Sequence, residues 1–168
     1  TRQAPERPAV PTGQITTQTI ATAIGLTLPE NAIVVDESIT TGRGLAPATA
    51  GAPPHDWLQV TGGSIGFGLP VATGAAIACP ERKVICLESD GSGMYTPQAL
   101  WTQAREGLDV TTLVFANRSY NILKSELANV GGGDPGPRAR DMLSLDRPNL
   151  KWTSLANSMG VEAGRVET

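Results

Sequence analysis

Three short apolar runs, separated by segments long enough to form helices, dominate this sequence of 168 residues. The runs are AIVVDE (32–37), KVICLE (83–88) and VTTLVFA (110–116), and polar residues follow each of them. Runs of this length are typical of strands that are buried on both faces of a parallel sheet. Strands that alternate with helices predict an α/β fold. We therefore expect a three-layer sandwich, with a mostly parallel sheet and helices on both of its faces.

Helices and loops fill the intervals between these runs. Pro29 ends the first helix, because proline cannot continue a helical hydrogen-bond pattern. Thr96 and Pro97 are residue types suited to the N-cap and the first position of a later helix. We predict helices over residues 14–28, 97–106 and 149–160, a helix opened by a glycine turn over residues 61–78, a further helix shortly after the third strand, and loops over residues 38–56 and 130–140.

The domain organisation follows from the distribution of proline and apolar residues. Residues 1–13 contain three prolines and no apolar periodicity, which predicts a linker from a missing upstream domain. Residues 14–168 then form one domain, which we expect to be truncated at its C-terminus. Charged residues make up 17% of the chain, below the roughly 25% of typical soluble domains. This low fraction indicates that part of the surface is covered by a partner.

Composition also argues against several functions. The net charge is −3 and there is no basic run, so nucleic-acid binding is not expected. No apolar stretch approaches the roughly 20 residues that a membrane span needs. Cys79 and Cys86 lack the spacing of metal ligands, and we interpret them as reduced thiols in a cytoplasmic protein.

Polar side chains follow two neighbouring strands. Asp90 comes directly after the second run, and Asn117 comes directly after the third. A helical crossover joins these strands, so both side chains are expected at the carboxyl edge of the sheet, where such folds bind ligands. A carboxylate, an amide oxygen and backbone carbonyls suit Mg²⁺ when phosphate oxygens complete its coordination. The turn Asp90–Gly93 precedes a helix and can bind an anion through its N–H groups.

The segment SDGSGMYTPQALWTQAREGLDVTTLVFANRSYNIL (89–123) resembles the thiamine diphosphate motif, which is G-D-G followed by 25 to 30 residues and N-N. Asp90 and Asn117 lie 27 residues apart. The resemblance implies that Asp90, Asn117 and the Ser119 carbonyl bind Mg²⁺, and that Gly91 and Ser92 contact the diphosphate. The sequence departs from the motif at its first glycine, which is Ser89 here, and at its first asparagine, which is Ala116.

A second segment, TGGSIGFGLPVATGAAIACPERKV (61–84), is similar to the one that precedes this motif in acetolactate synthases and benzoylformate decarboxylase. The resemblance implies that the Gly63 carbonyl accepts a hydrogen bond from the 4′-amino group of the cofactor. It also implies that the Ile65 side chain packs beneath the cofactor and bends it, which brings the amino group to the reacting carbon. By itself the segment is equally consistent with a glycine-rich helix that packs on another helix.

Weaker assignments concern the loops. DESITTGRG (36–44) resembles the first strand end and phosphate loop of the family, with Thr40 as the diphosphate contact and Ser38 and Ile39 close by. A simple turn at a strand end is the alternative. Tyr120 is placed near the cofactor, although it could equally be a packing residue. His55 is either an exposed loop residue or a proton shuttle. The loop Gly131–Pro137 is either a lid or a surface excursion.

The resemblance also defines what the chain lacks. In the family, a glutamate on a separate pyrimidine-binding domain activates the cofactor, and no match to that domain is found here. The resemblance therefore implies that partners are needed: a pyrimidine-binding domain of the same or another subunit, within a homodimer or homotetramer. The isolated chain is expected to be inactive.

The leading hypothesis is an acetolactate synthase-like enzyme that uses thiamine diphosphate and Mg²⁺ to decarboxylate 2-oxo acids and ligate the product. One alternative is a 2-oxo acid decarboxylase of the benzoylformate type. Another is a non-catalytic phosphate-binding module or a degenerate regulatory domain.

Overall fold

A computed structural model describes residues 8–168 of the chain. The predicted linker over residues 1–13 lies partly outside these residues, since residues 1–7 are not described. Residues 8–13 form neither helix nor strand. In chain order the elements are α1 (Thr17–Thr27), β1 (Ile33–Glu37), α2 (Leu45–Ala48), β2 (Asp56–Gln59), α3 (Gly68–Ala78), β3 (Val84–Ser89), α4 (Asp90–Gly93), α5 (Ala99–Arg105), β4 (Val110–Phe115), α6 (Asn121–Asn129), α7 (Pro137–Met142) and α8 (Trp152–Ser158).

The four described strands form one parallel sheet in the order β2-β1-β3-β4. Alternate residues of β1 point to opposite faces. Ile33 and Val35 pack on one face against α3, α5 and α8, while Val34 packs on the other against α1 and α2. The predicted three-layer α/β sandwich is confirmed. None of the helices in residues 8–168 has the length and apolar character needed to cross a membrane.

Local chemistry explains where α1 begins and ends. The Thr16 hydroxyl accepts a hydrogen bond from the Thr19 amide, and the Thr19 hydroxyl accepts one from the Thr16 amide, which is a reciprocal capping box. Leu28 ends the helix in an extended conformation, as expected for a residue that precedes proline. Pro29 therefore ends α1 as predicted.

The predicted loop over residues 38–56 was wrong in part, because it contains α2 and runs into β2. β2 is a four-residue edge strand that is mostly exposed, so it has no apolar run to reveal it. Long-range contacts hold it in place. The Trp57 indole donates to the Asp36 carboxylate at 3.2 Å, and Arg82 bonds to Asp56 at 2.6 Å.

Residues 61–78 form a glycine turn followed by a helix, as predicted, and the helix itself begins at Gly68. Gly62, Gly63 and Gly66 have φ angles of +68°, +68° and +95°, which no right-handed helix accommodates. Residues 61–67 therefore form a turn, called here the glycine turn. Pro70 is the third residue of α3, where its missing N–H would have no helical partner.

Two other boundaries differ from the prediction. The predicted loop over residues 130–140 contains the start of α7. The helix predicted from Pro97 begins at Ala99, and its N-cap is Gln98 rather than Thr96. The Thr96 hydroxyl instead donates to the Gly66 carbonyl at 2.8 Å, which links the segment after α4 to the glycine turn.

Candidate functional site at the carboxyl edge of the sheet

The Asp90 side chain links the end of β3 to the turn after β4 through a hydrogen bond. The two strands pair in parallel, with Ser89 opposite Phe115, so the residues that follow them leave the same edge of the sheet. The Asp90 carboxylate accepts hydrogen bonds from the Gly91 amide at 3.0 Å and the Arg118 amide at 2.6 Å. Asp90 is 2% exposed. The structure thus brings the predicted acid to the turn that carries Asn117 and Ser119.

The environment of Asp90 has opposing effects on its pKa. Burial raises the pKa of Asp90, because a charged carboxylate loses its hydration. The hydrogen bonds from the Arg118 and Gly91 amides oppose this rise, because they stabilise the charged form. A bound cation would stabilise the charged form further.

The turn after β4 is fixed by its neighbours. The Asn117 side-chain oxygen accepts a hydrogen bond from the Ser119 amide at 2.9 Å. The Leu145 amide donates to the Arg118 carbonyl, and the Tyr120 amide donates to the Leu143 carbonyl. In an antiparallel bridge of this kind, the N–H and carbonyl of Ser119 point away from the paired segment. Ser119 therefore directs its backbone to the side on which the Asn117 amide oxygen lies.

Gly91 and Ser92 are buried beneath this turn. A side chain at Gly91 would lie 2.6 Å from the Tyr120 ring, so Gly91 and Tyr120 are in close contact. The Ser92 hydroxyl accepts a hydrogen bond from Ser89 at 2.7 Å. Ser89 is extended, with φ −95° and ψ 149°, so the turn does not require glycine at this departure from the motif.

The loop that contains Thr40, called here the Thr40 loop, follows β1, which lies beside β3 in the sheet. Thr40 is half-buried, and the preceding Ile39 has a φ of +48°, which is strained for a β-branched residue. Asp36 holds this loop by accepting hydrogen bonds from the amide and the hydroxyl of Ser38. Thr41 lines the same cleft as Asn117 and Arg118, which places the Thr40 loop and the turn after β4 on one cleft.

Gly63 and Ile65 lie on the glycine turn. Ile65 is 39% exposed, which is unusual for a bulky aliphatic residue beside a buried network. The turn is attached to β1 by Glu37, whose carboxylate accepts hydrogen bonds from the Gly66 and Gly68 amides, both at 2.6 Å. No hydrogen bond links Gly63 or Ile65 to Asp90 within the part of the chain that the structure describes.

Sequence reasoning missed the pair Glu37 and Glu88. They are register partners on β1 and β3, and both are almost completely buried. Burial, together with the negative charge of Glu37, raises the pKa of Glu88 to about 9. The sequence signal was an acid near the end of two apolar runs, but nothing in the sequence indicated that the two side chains meet.

His55 is placed away from these groups. Its Nδ1 lies 2.7 Å from the Pro53 carbonyl and its Nε2 lies 3.2 Å from the Thr49 hydroxyl. Its ring also packs edge-on against Trp57. These contacts favour a structural role for His55 over a proton shuttle.

A parallel sheet with polar groups and glycine turns at its carboxyl edge is typical of α/β domains that bind ligands at that edge. Within that class, residues 41–168 match the family described as thiamine pyrophosphate enzyme, C-terminal TPP binding domain. The chain belongs to this family. Thiamine pyrophosphate and thiamine diphosphate are the same cofactor.

Individual relatives agree with this membership. The chain is 57% identical over 163 residues to a Mycobacterium tuberculosis protein named as a candidate acetolactate synthase large subunit, IlvX. The match covers 96% of this chain and 32% of that protein. It is 30% identical over 156 residues to benzoylformate decarboxylase of Pseudomonas aeruginosa, covering 93% of this chain and 28% of that enzyme. The chain therefore spans about a third of the length of these relatives.

A solved structure supports the fold. The thiamine diphosphate-dependent 4-hydroxybenzoylformate decarboxylase of Rhodococcus jostii RHA1 superposes with a TM-score of 0.78 at 28% sequence identity. The match covers 96% of this chain and 29% of that one.

Proposed function

We propose that this chain supplies the Mg²⁺- and diphosphate-binding half of the active site of an acetolactate synthase-like enzyme. The substrates are 2-oxo acids, which the complete enzyme decarboxylates and ligates to a second carbonyl compound. The similarity to the Mycobacterium tuberculosis relative supports this reading of the whole protein. The observation that carries the proposal is the hydrogen bond from the Arg118 amide to the buried Asp90 carboxylate.

The donor atoms at this edge fit the cation. Asp90 offers a carboxylate, Asn117 an amide oxygen and Ser119 a backbone carbonyl, all of them the hard oxygen ligands that Mg²⁺ prefers. Because Mg²⁺ is octahedral, three protein ligands leave its remaining coordination positions for phosphate oxygens. Gly91, Ser92 and Thr40 would contact the diphosphate, and Tyr120, which packs against Gly91, would lie close to it.

The remaining residues orient the cofactor. The Gly63 carbonyl would accept a hydrogen bond from the aminopyrimidine, and the exposed Ile65 side chain would pack against the bound cofactor. When bound, thiamine diphosphate would supply the carbanion chemistry for the decarboxylation of a 2-oxo acid. The protein would hold the charged Mg²⁺ and diphosphate in place, keep the cofactor bent and exclude water from the site. A glutamate on the pyrimidine-binding domain of the same or another subunit completes the site, in a homodimer or homotetramer.

A benzoylformate-type decarboxylase is the second candidate, and the similarity to the Pseudomonas and Rhodococcus decarboxylases favours it. The two candidates share this half of the site and differ in the acceptor of the product, which other parts of the enzyme would select. Cys79 and Cys86 are both free thiols, which supports a cytoplasmic location.

A calorimetric titration of the chain with thiamine diphosphate tests the proposal. We expect binding in the presence of Mg²⁺ and at least a tenfold loss of affinity when EDTA removes the metal. ATP with Mg²⁺ is the competitor. Tighter binding of ATP than of thiamine diphosphate would favour a non-catalytic phosphate-binding module and contradict the proposal.

A further inference from the structure

A buried glutamate fastens the glycine turn to the sheet. Glu37 is the last residue of β1 and is 1% exposed. Its two carboxylate oxygens accept one hydrogen bond each from Gly66 and Gly68, both at 2.6 Å. Hydrogen bonds to a charged acceptor are roughly twice as strong as those between neutral groups. The segment held in this way begins one residue after Ile65.

The turn is also held from its other side. The Thr96 hydroxyl donates to the Gly66 carbonyl, so both polar backbone groups of Gly66 are bonded. A side chain at Gly66 would lie 2.7 Å from the Tyr95 Cβ, and the φ of +95° is one that favours glycine. Gly66 is therefore fixed by Glu37, Thr96 and the Tyr95 side chain together.

The Glu37 carboxylate has little room to move. A Cβ atom added at Gly68 would lie 2.9 Å from a Glu37 oxygen and would overlap a Glu88 oxygen. The two carboxyl groups thus close around the same glycine from neighbouring strands. Because this space is filled, a change at Glu37 is transmitted to the turn rather than absorbed by a neighbouring void.

Two adjacent acids on β1 hold two different loops. Asp36 bonds to Ser38 and so holds the loop that carries Thr40. Glu37 bonds to Gly66 and Gly68 and so holds the turn that carries Gly63 and Ile65. Side chains of consecutive strand residues point to opposite faces, which explains how neighbours in sequence reach loops that are 20 to 30 residues apart in the chain.

We propose that Glu37 is a positioning residue for the thiamine half of the cofactor, whereas Asp36 positions the loop for its diphosphate. The inference rests on the proposed function, because it takes Gly63 and Ile65 as the groups that meet the aminopyrimidine and thiazolium rings. Glu37 would act through its hydrogen bonds to the Gly66 and Gly68 amides rather than by contact with either ring. It sets the distance of the glycine turn from the diphosphate site.

The test compares two ligands on matched variants. Glu37→Gln keeps the shape of the side chain but replaces one acceptor oxygen by an NH₂ donor, which would face an amide N–H of the turn. Asp36→Asn makes the same replacement one residue earlier. Binding of thiamine diphosphate and of inorganic diphosphate, both with Mg²⁺, is measured by calorimetry. For E37Q we expect the preference for thiamine diphosphate over diphosphate to fall about tenfold, the loss typical of one buried charge-assisted hydrogen bond. D36N is expected to weaken both ligands by the same factor.

The variant Thr96→Val covers the case in which E37Q does not fold. It releases the Gly66 carbonyl from the other side of the turn, and the same selective loss is expected. Faster hydrogen exchange of the Gly66 and Gly68 amides in folded E37Q is a supporting result that does not depend on any ligand.

A preference that stays within twofold of the wild type, in folded E37Q or in T96V, would overturn the inference and leave the Mg²⁺ and diphosphate site intact. A wild-type chain that binds neither ligand would instead overturn the proposed function itself.

Discussion

The carboxyl edge of the sheet and the segment 121–142 are built in opposite ways. At the edge, Glu37, Glu88 and Asp90 are buried acids, each bonded to backbone amides. In segment 121–142, which contains α6 and α7, no residue is buried. The edge therefore holds its groups in fixed positions before any ligand arrives, whereas the segment adds little packing to the chain. Substitutions that are severe at the edge should be mild in the segment.

The largest expected difference concerns pH. The folded state holds a proton on Glu88 up to about pH 9, whereas an unfolded glutamate releases it near 4.5. Unfolding is therefore favoured as pH rises between these values, by up to about 1.4 kcal/mol per pH unit. In Glu88→Gln this slope should be lost. Urea unfolding at several pH values measures it, and Glu126→Gln in α6 should behave as the wild type. Parallel slopes for E88Q and the wild type would contradict the assignment.

Two glycines of α3 sharpen the comparison. Gly68→Ala pushes a methyl group against both buried carboxyl groups and should destabilise the chain by about 1–3 kcal/mol. Gly74→Ala places the same methyl group where no atom lies within 4 Å. It should stabilise the chain by about 0.5–1 kcal/mol, through helix propensity alone. Thermal unfolding of both variants measures the contrast, and equal effects would show that the carboxyl groups leave room beside Gly68.

Two arginines should respond to glycine with opposite signs. Arg118 has a φ of +59°, which costs free energy for any residue with a side chain. Arg118→Gly is expected to stabilise the chain by about 0.5 kcal/mol, because the relief of strain exceeds the added flexibility of the unfolded state. Arg138→Gly lies within α7 and should cost about 0.5–1 kcal/mol. The denaturant midpoints of the two variants measure these changes. Destabilisation by R118G would mean that the Arg118 side chain contributes to packing.

The smallest effect is expected in segment 121–142 itself. Leu123 is 47% exposed, so Leu123→Ala should change the unfolding free energy by less than about 0.5 kcal/mol. The completely buried Leu69 is the matched control, and Leu69→Ala should cost about 2–5 kcal/mol. A large loss in L123A would show that the segment packs on the domain in solution.

The sequence predicted the elements that local rules determine. Three strands were found because each is an unbroken apolar run, and α1 was ended correctly because Pro29 restricts Leu28. β2 was missed because its place depends on distant partners, Asp36 and Arg82. Such contacts are decided by the folded sheet and leave no local pattern.

The candidate site likewise has one part that the sequence predicted and one part that it did not. Asp90 could be predicted to meet the 117–119 turn, because strand order and spacing determine that meeting. The roles of Glu37 and Glu88 could not be predicted, since a carboxylate near the end of an apolar run is normally a solvated group. In the folded chain Gly68 approaches both side chains closely, and this packing helps to exclude water from them.

The central claim is that Asp90 and the 117–119 turn share a divalent cation beneath a diphosphate. Electron paramagnetic resonance of Mn²⁺, used in place of Mg²⁺, measures it directly in the wild type and in Asp90→Asn. With thiamine diphosphate present, the wild type should bind a single Mn²⁺ ion tightly. The affinity of D90N for Mn²⁺ should be lower by about a hundredfold or more, the order expected when a charged ligand is lost from a partly buried site. Equal Mn²⁺ binding in the two proteins would contradict the account.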